Sequence, residues 1–347
     1  MTSGMDAVLL TGHGEPAVLR DGTWPLPEPR AGELRIRIRA AGFNPVDAMW
    51  RRGEGGPPLP CILGRDLAGT VDALGAGVEG FALGERVLAY VSARASNGTY
   101  AQATCLPASL VARLPAALEF TQGAALPVAG LTAHHVVTLH GNARAGQVAF
   151  VAGGSGGVGS MVLSMLSGLG VRALTTATSA QSADRLAARH GLELDAILRC
   201  DLVPPERWPQ WLAARVPAGV DLAIDLVGQA LKQLCFEVAA PGGRVVSIVE
   251  EPPGFALDLW DESRSPLVTR SLGFHFVQLG ARALHGEPAS WALYGQELTA
   301  LAKQVAAGTL PLPPIEVVGA LGAPTVQRAH HLLDARKGGA KRVMTVP

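Results

Sequence analysis

The amino-acid sequence predicts a two-domain α/β protein: a doubly wound parallel sheet accompanied by a separate β-rich domain. Three observations lead there. A chain of 347 residues exceeds what one compact core usually organises. From about Ala124 onward, short apolar runs alternate with amphipathic helical ones, the rhythm of a parallel sheet covered by helices. Before that point, alternating runs broken by glycine read as β-rich.

The β-rich part opens its case with LRIRIRA, Leu34 to Ala40, where apolar and charged residues alternate with the period of a half-buried strand. Arg35, Arg37 and Arg39 then form its solvated face. Further strands are expected at Leu67–Leu74 and Arg86–Val91. AALPVAGLTAHHVV reads as a helix. Beyond it the strand expectations are Val148–Ala152, Val171–Thr176, Ala196–Leu198, Asp221–Asp225 and Arg244–Val249, with helices at Val158–Leu169, Ala180–His190 and Gln229–Ala239. The tail from about Leu279 carries a helix, Trp291–Ala307, and ends in the strand-like RVMTV. It differs from the middle and is expected to rejoin the first domain, giving residues 1–125 with 279–347 as one domain and 126–278 as the other.

Composition excludes several classes of partner. Charged residues make up 17% and balance at 29 against 29, so no basic face is offered to nucleic acid or to an anionic membrane. The four cysteines, Cys61, Cys105, Cys200 and Cys235, form no CxxC pair, which suggests free thiols in a reducing compartment. MTSGMDAVLL lacks a basic segment followed by an apolar one, so no signal peptide is expected and the cytoplasm is the expected location.

One stretch carries the functional reading. Ala145 to Val171 holds no charge, long enough to cross a bilayer, but five glycines fall within Gly153–Gly159 and disfavour a continuous helix. Gly153-Gly154-Ser155-Gly156-Gly157 also fits the G-x-S-x-G elbow of a serine hydrolase, whose triad would draw on Asp225 or Asp258 and His275 or His330. Any glycine-rich turn with one serine satisfies that pattern. The third match, Gly154-x-Gly156-x-x-Gly159 between strand and helix, is the dinucleotide fingerprint of a Rossmann domain. There Gly154 makes the tight turn, Gly156 lets backbone approach a pyrophosphate, and Gly159 lets helix pack on strand. The amides of Ser155, Gly157 and Val158 lie in the cradle at the helix start. The context favours this third reading.

NAD sites usually place an acidic residue at the end of the second strand. Here the chain reads Thr176-Ala177-Thr178-Ser179, and the nearest acid, Asp184, lies a turn into the next helix. Thr176, Thr178 and Ser179, with Arg185 and Arg199 in plausible reach, suit a 2′-phosphate and point to NADPH.

AGFNPVDAMWRRG, LGRDLAGTVDALGAGVEGFALGERV, GTYAQ, LPVAGLTA, the glycine turn and DLVGQALKQLCFEVAAPGGRVVSI occur in an order that resembles the medium-chain dehydrogenases/reductases. Within these, the chain resembles the zinc-independent quinone oxidoreductase (zeta-crystallin-like) group. The resemblance implies a GroES-like β domain built from both chain ends, a central Rossmann domain, cofactor in the cleft between them, and homodimers joined through Gly273–Val277. Zinc relatives carry Cys at the position of Asn44 and His at that of Arg65, so no catalytic zinc is implied. The resemblance sets Asn44 beside nicotinamide or substrate, with Asp47 supporting its turn. Thr132 and Val249 would meet the cofactor, and Phe274 and His275 would line the cleft. Met49 and Trp50 stand where many relatives have a tyrosine, so no general acid is named, and Gln181 or Ser182 stands where many have a lysine for the 2′-phosphate. The expected function is metal-free, NADPH-dependent reduction of a quinone or α,β-unsaturated carbonyl. A hydrolase using Ser155 and a non-catalytic NADPH-binding, crystallin-like protein remain the alternatives.

Overall fold

The structure is a computed structural model that describes residues 4–92, 94–251, 265–335 and 339–347. The chain divides into two compact units, one formed by Met1–Leu131 with Gly280–Pro347 and the other by Thr132–Leu279.

The first unit starts with a hairpin of β1 (Gly4–Leu10) and β2 (Leu19–Pro25), which β4 (Cys61–Ile62) extends. Its main sheet is built around β3 (Glu33–Gly42), followed in the chain by helix α1 (Pro45–Arg52). β5 (Asp66–Leu74) runs antiparallel to β3, with β6 (Arg86–Tyr90) and β8 (Val111–Arg113) beyond it and β7 (Ala103–Pro107) also against β3. The two-residue period of LRIRIRA is what buries Leu34, Ile36 and Ile38 completely. The opposite face is less uniform than its sequence suggests. Arg37 and Arg39 are exposed, whereas Arg35 is half-buried and pairs with Glu28 at 3.1 Å and Asp72 at 2.9 Å.

Two short helices, α2 (Phe120–Ala125) and α3 (Pro127–His134), lead out of this unit, and α3 passes into a π-helical stretch, His135–His140. The second unit then alternates β9 (Val148–Ala152), α4 (Gly157–Gly168), β10 (Arg172–Ala177), α5 (Ala180–His190), β11 (Ile197–Arg199), α6 (Trp208–Ala213), β12 (Val220–Asp225), α7 (Ala230–Val238), β13 (Ala239–Ser247), α8 (Pro266–Thr269) and β14 (Gly273–Phe276). All six strands run parallel in the order β11-β10-β9-β12-β13-β14. The order reverses at β9, so the crevice at the carboxyl end of that strand is the topological switch point where such sheets bind ligands. Phe150, Leu174, Leu198, Ala223 and Val245 fill one buried layer, closed by Trp208 and Leu212 of α6 and by Leu234 and Phe236 of α7.

The chain returns to the first unit through α9 (Ala281–His285), α10 (Pro288–Ala306), β15 (Ile315–Ala320), α11 (Ala323–Asp334) and β16 (Lys341–Thr345). β16 lies antiparallel to β3, so the last strand completes the sheet that the first 100 residues began.

Most expected elements form within a residue or two of their expected limits. β13 differs, starting at Ala239, because Ala239 pairs with Val220 ahead of an irregularity at Pro241–Gly243 that sequence alone reads as a turn. α11 escaped the sequence reading although Val326, Ala329 and His330 form its buried face. The uncharged stretch is β9, the glycine turn and α4, and among the described residues no helix is long and apolar enough to cross a membrane.

Candidate active site

The glycine turn occupies the switch point. Gly153 takes φ +95°, a left-handed conformation that suits glycine, and its N–H donates to Thr176 Oγ1 at 2.9 Å. A Cβ on Gly159 would run into the Gly153 carbonyl oxygen and lie 2.7 Å from Gly154 Cα, so helix α4 can sit this close only without one. At Gly156 the nearest atom to such a Cβ is 3.7 Å away. That side is open, as a cradle for an anion requires. Gly156 is also the N-cap of α4 and provides no side-chain cap, which leaves the first N–H groups of a twelve-residue helix for a ligand. Ser155, Gly157 and Val158 are partly exposed along this turn. The residues therefore fit a dinucleotide pyrophosphate.

At the end of β10 the predicted residues separate. The Thr176 hydroxyl is buried and spent on Gly153, holding the turn. Thr178 is exposed, and Ser179 is the N-cap of α5, accepting from the Ser182 N–H at 3.2 Å. Arg199 lies opposite Ala177 in the β10–β11 register, beside Thr178, and grips Asp201 through two bonds of 2.7 and 2.6 Å. Arg185 is exposed on α5.

The carboxyl ends of β12 and β13 hold a polar group that sequence reasoning saw only in fragments. Buried Asp225 accepts the N–H groups of Val227 (3.0 Å) and Gly228 (2.7 Å) and the Ser247 hydroxyl (2.8 Å). Lys232, from α7, donates to the Val249 carbonyl at 2.5 Å and pairs with Glu251 at 2.8 Å. Val249 is thus held through its backbone, with its side chain half-buried. Phe274 packs against the Phe236 ring at 5.3 Å as part of the unit's core, and His275 is exposed on β14 with its ring 5.2 Å from that of His140. Thr132 is buried on α3.

The serine-hydrolase elements do not converge. The oxygens of Asp225 are taken by its own loop and Ser247, and His330 belongs to the other unit, where it meets Tyr100. Asp258 lies outside the described residues.

In the first unit, Asn44 and Asp47 have different tasks. Asp47 does what its type favours at the third position of a helix, accepting the Asn44 backbone N–H at 2.9 Å. Asn44 is the N-cap residue, yet its side chain makes no cap bond. It turns instead into a buried knot. Its Nδ2 donates to Asp66 Oδ2 at 2.8 Å, and its Oδ1 accepts from Lys341 Nζ at 2.6 Å. Lys341 also donates to Asp66 Oδ2 at 2.7 Å and to the Phe43 carbonyl at 3.0 Å, while Asp66 Oδ1 accepts the Val128 N–H at 2.7 Å. Sheet register assembles this group. Gly42 pairs with Asp66 on one side and Val343 on the other, so Lys341, two residues before Val343, comes level with Asn44. Gly42 makes room for it, since a Cβ there would lie 2.8 Å from Asp66 Oδ2 and 2.5 Å from the Ala124 carbonyl.

Asp47 is fully buried, and burial pushes its carboxyl up to about 6 in spite of the Asn44 N–H, the Arg65 charge and the Tyr100 hydroxyl, 3.0 Å away. The same hydroxyl lies 3.4 Å from His330 Nε2, and burial beside Arg51 holds that imidazole down to about 3, hence neutral. Arg65 lies over the Trp50 ring at 4.4 Å and donates to the Tyr90 hydroxyl at 3.1 Å. Cys61, Cys105, Cys200 and Cys235 are free thiols, all raised by burial and poorly suited to nucleophilic work. Among the described residues no three His, Cys, Asp or Glu side chains gather closely enough to hold a metal.

Sequence reading missed Asp66, Lys341, Tyr100, Lys232 and Ser247. One signal was available for the lysines. Only four of the 29 basic residues are lysine, and two of these, Lys232 and Lys341, are buried.

A doubly wound sheet with this turn at its switch point defines a dinucleotide-binding domain. The alcohol dehydrogenase GroES-like domain profile matches residues 30–116, and the zinc-binding dehydrogenase profile matches residues 200–343. The mouse (Mus musculus) synaptic vesicle membrane protein VAT-1 homolog-like is 36% identical over 165 residues, 47% of this chain and 39% of that protein. A quinone oxidoreductase of Pseudomonas aeruginosa is 35% identical over 180 residues, 52% of this chain and 54% of that one. The 2-methylene-furan-3-one reductase of Solanum lycopersicum is 32% identical over 264 residues, covering 73% and 65%. Each match spans less than two thirds of the relative's length. Among solved structures, a mycobacterial protein complexed with NADPH superposes with a TM-score of 0.81 at 27% identity, covering 98% of this chain and 99% of that one. The chain belongs to the medium-chain dehydrogenase/reductase superfamily, in its quinone oxidoreductase group.

Proposed function

We propose that this protein is an NADPH-dependent reductase that delivers hydride to a quinone or an α,β-unsaturated carbonyl without a metal. The observation that carries the metal-free part is the Lys341 ammonium, bonded to both Asn44 and Asp66. A fixed cation already neutralises the Asp66 carboxylate and holds the amide oxygen, so a divalent ion would find a positive charge and no thiolate or imidazole set.

When bound, the reduced nicotinamide supplies the hydride. The chain's part is to bind, orient and exclude water. Backbone N–H groups of the glycine turn hold the pyrophosphate, and Asp225, Ser247 and Lys232 stiffen the strand ends beside it. Preference for NADPH is supported by the acid-free end of β10, with Ser179 and Arg199 beside it, and by the NADPH reported for the mycobacterial neighbour. Dimerisation through β14 is supported by its position as the last strand of the sheet and by exposed Phe276. Four free thiols support a reducing compartment.

The test is NADPH oxidation with 1,4-benzoquinone and 2-cyclohexen-1-one, before and after dialysis against a chelator and with zinc added back. The expected result is turnover indifferent to chelator and zinc and faster with NADPH than NADH. Activity that needs zinc, or no turnover of either acceptor, overturns the proposal.

A further inference from the structure

We propose that Lys341 is a positioning residue that locks the orientation of the Asn44 amide so that its NH2 end is the hydrogen-bond donor toward the carbonyl oxygen of the acceptor. This inference rests on the reductase reading above.

An asparagine side chain normally offers both a donor and an acceptor end, and it can flip between them. At Asn44 that freedom is removed twice over. The ammonium donates to Oδ1 at 2.6 Å, and the Asp66 carboxylate accepts from Nδ2 at 2.8 Å. Flipping the amide would set its NH2 against the ammonium and its oxygen against the carboxylate, so both contacts favour one orientation. One lone pair of Oδ1 is then held by the ammonium. Nδ2 has two hydrogens, and Asp66 takes one. The second lies in the amide plane at a fixed angle to the first, and it is the donor offered to a group that reaches this end of the amide.

Lys341 is 5% exposed, and its three N–H groups match its three acceptors, Asn44 Oδ1, Asp66 Oδ2 and the Phe43 carbonyl. The positive charge next to Oδ1 withdraws density from the amide and makes the remaining N–H a better donor. The Asp47 N–H turns to the Asn44 backbone carbonyl at 3.0 Å, and the Asp47 carboxylate takes the Asn44 backbone N–H.

This donor matches what the reaction needs. Hydride from the reduced nicotinamide forms a C–H bond at the β-carbon of an enone. The C=C π pair moves to form the enolate, whose oxygen gains the negative charge, and water later supplies the proton. A donor held in place before that charge develops stabilises it without reorganisation, and loss of one such donor typically costs on the order of 10²–10³ in rate. The same donor serves the oxygen of a quinone. The acceptors selected are therefore compounds with a carbonyl oxygen conjugated to the reacting carbon.

The experiment compares wild type, K341M, K341R, N44A and K341M/N44A with NADPH and 2-cyclohexen-1-one, with thermal unfolding and NADPH fluorescence titration on each. The expected result is a kcat about 100-fold lower in K341M, with the Kd for NADPH within about threefold of wild type. K341R should recover to within tenfold, and K341M/N44A should be no slower than N44A, because the lysine acts through the amide. Should K341M fail to fold, D66N/K341M removes both charges together and replaces it, with the same loss in kcat expected. A K341M or D66N/K341M enzyme as fast as wild type overturns the lock, as does a double variant in which the two losses multiply. A wild type that binds NADPH but turns over neither acceptor overturns the reductase reading and the lock with it.

Discussion

The glycine turn and the Asn44–Asp66–Lys341 knot are built on opposite principles. Contacts that shape the turn stay within a short stretch of chain: Gly153 to Thr176 across one strand–helix–strand unit, and Gly159 against Gly153 and Gly154. The knot joins residues 22, 275 and 297 positions apart. The turn is made of residues without side chains, and its chemistry is backbone N–H. The knot is side-chain chemistry throughout, with an ammonium, a carboxylate and an amide withdrawn from water. A motif of the first kind is visible as a pattern of glycines, whereas one of the second exists only once the last strand has paired with the third.

Variants in the two regions should fail in different ways. The largest effect on cofactor binding is expected from Gly159→Val, whose new atoms meet backbone that has no rotamer to yield. NADPH binding followed by fluorescence should weaken at least about 100-fold, a loss of roughly 3 kcal/mol. Unchanged binding would move the pyrophosphate site away from the turn.

Asp66→Ala should instead damage folding. It leaves the Lys341 ammonium buried without its carboxylate, which typically costs about 3–5 kcal/mol in urea unfolding. Recovery of most of that loss in Asp66→Ala/Lys341→Met would show that the cost is the orphaned charge; no recovery would make Asp66 important for the Val128 N–H instead.

A third prediction concerns pH and the pair that meets at the Tyr100 hydroxyl. Asp47, raised from 3.8 to about 6, holds its proton more tightly folded than unfolded, so its contribution falls as pH rises through that window, by on the order of 3 kcal/mol. His330, lowered from 6.5 to about 3, binds its proton more tightly unfolded, so its contribution rises with pH from about 3 to 6.5. The two slopes oppose each other in the wild type. In His330→Asn only the Asp47 slope remains, and stability measured against Asp47→Asn/His330→Asn should decline between pH 4 and 6. A flat difference would mean that Asp47 titrates in its ordinary range.

The smallest effect is expected from Ser179→Asp at the start of α5. A carboxylate there should reduce the preference for NADPH over NADH about fivefold, or roughly 1 kcal/mol, the scale of an exposed charge pair. An unchanged ratio would leave Arg199 and Thr178 as the places to look.

The same contrast explains which parts of the molecule could be read in advance. Val148–Ala152 and Ala180–His190 form where the sequence indicates, because a strand buried on both faces is continuously apolar and an amphipathic helix repeats every 3.6 residues. Asn44 and Asp47 were legible as a turn-forming pair, but only Asp47 caps. Phe274 reads as a site residue, and its half-buried ring rests against Phe236 at the edge of the core, a contact that an aromatic in a short strand does not announce.

Taken alone, the amino-acid sequence determined the alternation of strands and helices, the parallel sheet and the backbone cradle. Each of these follows from periodicities and steric demands that operate over fewer than 30 residues. Only the tertiary structure decided that Lys341 comes level with Asn44, that Gly42 admits the Asp66 side chain between them, and that Tyr100 stands between Asp47 and His330. The physical reason is sheet register. A one-residue slip of β16 against β3 would turn Lys341 to the other face, and nothing local to residues 341–345 records which register the finished sheet selects.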